Sequence, residues 1–241
     1  MSGTTPSPDL PPVPPARSGA SPGAGTGSAP GSTLAAFGPR PEPDDPHACL
    51  LVELLSHRVG TLIVDDLGGG TRATPVRFVI HPVEPAIIFV CPVSDLDPSR
   101  DGGSGVLCVP EEHEDALRLE LSIDACDEAE HGDLMDRWSA YNGAPAAAAP
   151  GHKGSGGIAW AFARIESLRQ RTNVADIDEV DLRNPLHGKA EFARLRSLNA
   201  DPESLARQIG EPGERVVAVG ADALGVDVRA RLGVRRLWWA S

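Results

Sequence analysis

The chain has 241 residues, enough for one large domain or two small ones. Hydrophobic residues make up 41% and aromatics only 4%, so a core is affordable but must be built mainly from Val, Leu, Ile and Ala. A formal charge of -12 excludes the broad basic face that non-specific binding to nucleic acid or an anionic membrane requires.

Residues 1–46 are Pro, Gly, Ser, Ala and Thr with almost nothing to bury. Such a segment cannot offset its own ordering entropy and is expected to be a disordered leader. Its Pro-rich piece PDLPPVPPAR has the composition of a polyproline II ligand. It lacks a basic stretch followed by an apolar one, so it does not read as a secretory signal. No apolar run approaches the roughly 18 residues of a membrane span. The expected location is cytoplasmic.

Residues 48–57 place Leu50, Leu51, Leu54 and Leu55 at helical spacing, with Asp44 or Asp45 as the cap. Residues 59–64, 74–80 and 86–91 are runs rich in Val, Ile and Phe, separated by Gly- and Pro-containing turns. Connections this short cannot cross over to a parallel neighbour, so an antiparallel meander is expected. Residues 92–105 form an acidic loop. Residues 106–109 and 117–123 read as strands, with Leu117, Leu119, Leu121 and Ile123 alternating against Arg118, Glu120 and Ser122.

Residues 127–141 read as a helix with Leu134, Met135, Trp138 and Tyr141 on one side, stopped by Asn142 and Gly143. Residues 144–157 are an Ala/Gly/Pro linker. Residues 158–168 are a strand with Trp160, Phe162 and Arg164 on one face and Ala161, Ala163 and Ile165 on the other. Five or six antiparallel strands and two helices suggest a small, partly closed barrel over residues 47–170.

Residues 171–186 read as an acidic, turn-rich linker. A small α+β domain follows over residues 187–241. It opens with a helix at 188–198 and a second one capped by Asp201 with Pro202 in its first turn. Strands are expected at 215–219, 225–232 and 234–239. The fold class is α+β, mainly β. The four cysteines, Cys49, Cys91, Cys108 and Cys126, form no CxxC pair and read as reduced thiols rather than zinc ligands.

The order helix, VGTLIVDD, turn, a strand entered by TPV, turn, AIIFV and then SDL resembles the FMN-binding split-barrel superfamily, which includes pyridoxamine 5'-phosphate oxidases. The tail, LNADPESLARQI followed by VVAVGADALGVDVRARLGVRRLWW, resembles the domain appended to the barrel in HugZ-type haem-utilisation proteins. Leu198, Asn199, Asp201, Asp222, Gly225, Asp227 and Arg229 hold the places of that domain's motif. Pro202 stands where that family usually has histidine. A plant protein of the same architecture, which binds glutamyl-tRNA reductase, implies that the arrangement also serves as a haem-responsive partner. The resemblance further implies a homodimer with its cofactor site at the two-fold interface.

In flavin-binding members, an Arg on an early strand and a Ser/Thr-Arg/Lys pair after a later strand hold the FMN phosphate. Arg77 and Ser94 match by position, but Asp95 replaces the expected cation, with Asp97 and Asp101 nearby. Anions beside a phosphate are unfavourable unless Arg100 compensates. The cofactor site therefore reads as degenerate, holding FMN, haem or no cofactor. For haem, which needs an axial ligand, His81 and His187 are the better-placed histidines. Arg229, Arg231, Arg235 and Arg236 form a basic cluster suited to a small anionic ligand or a protein partner, or to pairing with nearby acids. One of Trp238 and Trp239 faces the core, leaving the other for a second subunit. GGG at residues 68–70 precedes no helix, so it is no phosphate loop, and no nucleophile elbow occurs. Two functions stand: a binding or regulatory protein in haem or flavin handling, or an FMN- or haem-dependent oxidoreductase. No catalytic residue is identified, and neither nucleic acid nor membrane is expected as a partner.

Overall fold

A computed structural model of the protein describes residues 37–65, 70–92, 103–126, 128–143 and 158–240. The expected linker at 144–157, most of the GGG turn, the acidic loop to residue 102 and the leader up to residue 36 lie outside the described residues. The described residues belong to one compact unit.

Helix α1 spans Pro46–Leu55 and is capped by Asp45, whose side chain accepts from the Ala48 N–H at 2.7 Å. Strands β2 (Val59–Asp65), β3 (Thr71–Ile80) and β4 (Ala86–Pro92) pair antiparallel in sequence, as the short turns require. Strands β5 (Gly103–Val109), β6 (Leu117–Ala125) and β7 (Ile158–Gln170) continue the sheet from β2, and β7 returns to β4. The result is a closed six-stranded antiparallel barrel, β2-β3-β4-β7-β6-β5, of the split-barrel fold. Closure leaves no unpaired edge among these strands.

Its interior follows from period-2 alternation. Leu62 and Val64 of β2 meet Leu117, Leu119, Leu121 and Ile123 of β6, with Ala161, Ala163 and Ile165 of β7. Leu50 and Leu54 of α1 join the same cluster. The other face of β7 is covered at Trp160 and Phe162, while Arg164 and Glu166 further along it are exposed. Helix α2 (Glu128–Asn142) packs Leu134, Met135, Trp138 and Tyr141 over Phe162, Ile88, Val79 and Ala86. Trp138 Nε1 donates to the Arg77 carbonyl at 2.9 Å.

Strand β8 (Asn173–Asp176) extends the sheet along the second half of β7, and Ala175, Val180 and Leu182 enter the barrel core. The segment 171–186, expected to be a linker, is thus built onto the barrel. Its acidic residues are exposed, while Ala175, Val180 and Leu182 are buried.

Helices α3 (Lys189–Asn199) and α4 (Pro202–Gln208) then pack Leu198, Leu205, Ala206 and Ile209 on a second sheet. Strands β9 (Val217–Ala221), β10 (Gly225–Ala230) and β11 (Gly233–Trp239) form it, and β1 (Phe37–Gly38) completes it by pairing with Trp239 and Trp238. The end of the leader is therefore ordered, because its single aromatic residue finds a partner. Phe37 stacks on Trp239 with ring centroids 5.1 Å apart.

Tight packing fixes where α2 meets β9. A Cβ on Gly220 would lie 1.8 Å from the Tyr141 hydroxyl and 2.8 Å from its Cζ. Overpacking of this kind costs about 1–3 kcal/mol or more. Gly220→Ala should therefore lower the unfolding free energy measured in urea by about that much, whereas Gly132→Ala, with no neighbour within 4 Å of the added carbon, should not destabilise the fold.

Candidate functional site

Asp227 lies on β10 with only 3% of its surface exposed. A carboxylate withdrawn from water needs charge partners and hydrogen bonds. Arg58, between α1 and β2, supplies Nη2 at 2.5 Å from Oδ2. Tyr141 of α2 donates its hydroxyl to the same oxygen at 2.9 Å. Arg236 of β11 approaches Oδ1 at 3.2 Å and grips Asp222 with its other nitrogen at 2.5 and 2.6 Å. The guanidiniums of Arg58 and Arg137 lie 5.8 and 5.7 Å from the Tyr141 ring centre. Arg137 in turn makes a two-pronged pair with Glu191 of α3 at 2.9 and 3.3 Å, and Glu191 also accepts the Ala221 N–H at 3.2 Å. Burial alone would raise the Asp227 pKa, but Arg58 and Arg236 outweigh it and hold the carboxyl below its ordinary 3.8. Burial and the Asp227 charge push Tyr141 up, so its hydroxyl remains a donor.

Of the residues singled out for FMN phosphate, Arg77 sits exposed on the outer face of β3, opposite Val59. Ser94 and Arg100 lie outside the described residues. Arg77 shares an open bowl of about 510 Å³ with His57, Arg58, Tyr141, Asn142, Arg229 and Arg231. Among the described residues, no carboxylate lines it. Arg58 is committed to Asp227, and Arg229 donates to the Ser139 and Ala140 carbonyls at the end of α2. Arg77 and Arg231 have no acidic partner among the described residues. The fold thus brings one predicted phosphate residue against two members of the tail's basic cluster. The other two members are engaged elsewhere: Arg235 pairs with Glu211 at 2.7 Å, and Arg236 belongs to the Asp227 network.

The histidines proposed for haem share a groove of about 740 Å³, with His81, His131 and His187 beside Phe162 and Phe192. His81 does not suit iron. Its Nδ1 accepts from the Val83 and Glu84 N–H groups at 3.1 and 2.8 Å, which places the proton of the neutral ring on Nε2. No lone pair is left for a metal. Burial also lowers its pKa, keeping the ring neutral. His187 Nδ1 faces Glu191 at 3.5 Å, leaving Nε2 exposed at the rim. Glu84, Glu130, Asp133 and Asp136 line the same groove and oppose the propionates of a haem.

The tail motif acts structurally. Asn199 Nδ2 donates to the Ala218 carbonyl and its Oδ1 accepts the Ala218 N–H, at 3.0 and 2.8 Å. Asp201 caps α4 through the Ser204 N–H at 2.9 Å. Asp222 Oδ1 accepts the Leu224 and Gly225 N–H groups. A Cβ on Gly225 would come 2.3 Å from the Leu237 carbonyl oxygen. Trp238 is buried, as expected for one of the pair. Trp239 is half-buried against its own chain: Phe37 stacks on it, Arg194 lies 4.5 Å from its ring centre, and its Nε1 donates to the Asp222 carbonyl.

Comparison with known proteins places this architecture among solved folds. A protein of unknown function from Agrobacterium tumefaciens str. C58 superposes with a TM-score of 0.58 at 20% identity, covering 87% of this chain and 94% of its own. A heme binding protein from Mycobacterium smegmatis gives 0.39 at 18% identity, over 83% and 89%. A protein provisionally assigned as a pyridoxamine 5'-phosphate oxidase from Listeria innocua gives 0.36 at 13%, over 52% and 98%. No protein-family model and no curated protein matches the chain. The first likeness shows a shared fold.

The Asp227 network makes two measurable demands. Asp227→Asn strands Arg58 among buried groups and should cost about 3–5 kcal/mol in urea unfolding, as for other broken buried pairs. The double change Arg58→Met with Asp227→Leu should recover part of that loss. Because the folded pKa of Asp227 lies below 3.8, its stabilisation is complete above that pH and disappears as pH falls through the folded value. The wild type should therefore lose stability steeply below about pH 4, and Asp227→Asn should show a flatter acid limb.

Proposed function

We propose that this protein is a split-barrel binding protein that takes an FMN-type cofactor, gripping its phosphate in the Arg77–Arg231 bowl, and serves flavin handling as a binding or regulatory partner. The observation that carries this reading is the pair of exposed, acid-free arginines brought together from β3 and the β10–β11 hairpin. A phosphate with nearly two charges wants several cationic donors and no carboxylate beside it. When bound, FMN supplies electron-transfer chemistry through its ring system.

The lining of the bowl offers little acid–base chemistry of its own. His57 is held by Glu53 at 3.0 Å, and Tyr141 donates to Asp227. This favours binding over catalysis. The sequence resemblance to flavin-binding split barrels supports FMN. The carboxylates and the fixed tautomer of His81 argue against haem in the histidine groove. In this reading the protein works as a homodimer. Val59 and Leu232 line the bowl with 47% and 83% of their surface exposed, and a second copy would cover them.

Fluorescence titration with FMN and with riboflavin tests the proposal. FMN should bind at least tenfold more tightly, since a charged hydrogen bond contributes about 1.5–3 kcal/mol. The preference should vanish in Arg77→Ala/Arg231→Ala. Equal affinities in the wild type would sink the phosphate grip. NAD(P)H-dependent turnover by the flavin-loaded protein would instead favour an oxidoreductase.

A further inference from the structure

A second, smaller cavity of about 270 Å³ lies where α1, α2, the segment 181–185 and the β9–β10 turn converge. Its walls are apolar: Leu51, Leu55, Ile80, Leu182, Ala223 and Leu224. Arg58, Arg137, Tyr141 and Asp227 also line it, as does His81. It is separate from the bowl, although Arg58 and Tyr141 border both.

The polar groups of this cavity are balanced in charge but not in hydrogen bonding. Arg58 and Arg236 are matched by Asp227 and Asp222, Arg137 by Glu191, and Arg183 by Asp181 at 2.9 Å. A carboxylate entering here would add an uncompensated charge to a neutral set whose Asp227 and Glu191 are buried and whose Arg58 and Arg236 side chains are largely so, although the Arg183–Asp181 pair is exposed. Donors, in contrast, are in surplus. A guanidinium carries five N–H groups. Arg58 directs them to the Leu55 and His57 carbonyls and to Asp227, and Arg137 to Glu191 alone. The Nε–H groups of both lack an acceptor but are shut off from the cavity as well as from solvent. The spare donors on these cavity-lining side chains are Nη hydrogens, one on Arg58 and two on Arg137. His81 carries its proton on Nε2, which has no partner among the described residues. The acceptors present are already engaged: both Asp227 oxygens and the side-chain oxygen of Asn184.

We infer that this cavity is a binding site for a small, uncharged molecule with an apolar body of about one ring and a single hydrogen-bond acceptor, such as a ketone or amide carbonyl. The apolar walls take the body, and the donor-rich end takes the carbonyl. This assignment rests on the cavity alone and does not depend on flavin binding in the bowl.

Heteronuclear NMR titration of the full chain with acetophenone tests it, with α-methylstyrene as the isostere lacking the oxygen and benzoate as the anion. Acetophenone should give saturable shifts at the amides of residues 182–184 and 221–224. α-Methylstyrene and benzoate should each bind at least tenfold more weakly. His81→Phe should narrow the gap between ketone and hydrocarbon. Two cavity-filling variants, Ala223→Phe and Leu55→Trp, should each weaken acetophenone at least tenfold while keeping the wild-type spectrum elsewhere. The inference is overturned if acetophenone gives no saturable shift at those amides, as for a cavity holding only water. It is equally overturned if hydrocarbon or benzoate matches the ketone, or if both filled variants retain wild-type affinity.

Discussion

A carboxylate shut away from water holds this protein together. Asp227 can stay ionised only while Arg58, Tyr141 and Arg236 all reach it, and those three come from the approach to the barrel, from α2 and from the final strand. Arg137 and Glu191 carry the same logic on to α3. Apolar packing sets how closely α2 sits on the barrel wall, since dispersion falls off within an ångström. Directed ion pairs add a fixed orientation to that contact. The network therefore helps set the register between barrel and tail, and both the basic bowl and the smaller apolar-walled cavity are bordered by its members Arg58 and Tyr141.

Much of the barrel was legible in the residues. Alternation in 117–123 and the short turns after 64 and 80 left few topologies open, and strand number suggested a partly closed barrel, but that β4 and β7 close it is seen only in the fold. Helix boundaries agreed within about two residues because Asp45, Asp201, Gly143 and Gly210 are caps with a mechanism. What composition hid was order in polar surroundings. Residues 173–176 are acidic in tone, yet Ala175 is buried, and a four-residue strand offers too few alternations to be seen. Phe37 sits in a Pro/Gly-rich stretch, and its value depends on Trp239, which is some 200 residues away in sequence.

The site was legible only in fragments. Arg77 and the basic tail were both visible, but nothing local indicates that β3 and the β10–β11 hairpin share a bowl. Asp227 alternates with Val226 and Val228, so it reads as a residue facing solvent. In the fold, the polar face of β10 lies under α2, and all four residues from Gly225 to Val228 are buried. The tail motif was noticed as a pattern, and its meaning is structural: a cap, a turn, a close strand approach and a buried charge. Histidine position suggested iron, whereas the two backbone donors on His81 Nδ1 depend on turn geometry that sequence does not display.

Strand β1 has two residues, too few to persist alone, yet it occupies the outer flank of β11. An uncovered flank there would offer free backbone groups and an indole surface to any extended peptide, an invitation to fibrillar stacking. Phe37 and Gly38 work as a bolt drawn across that opening.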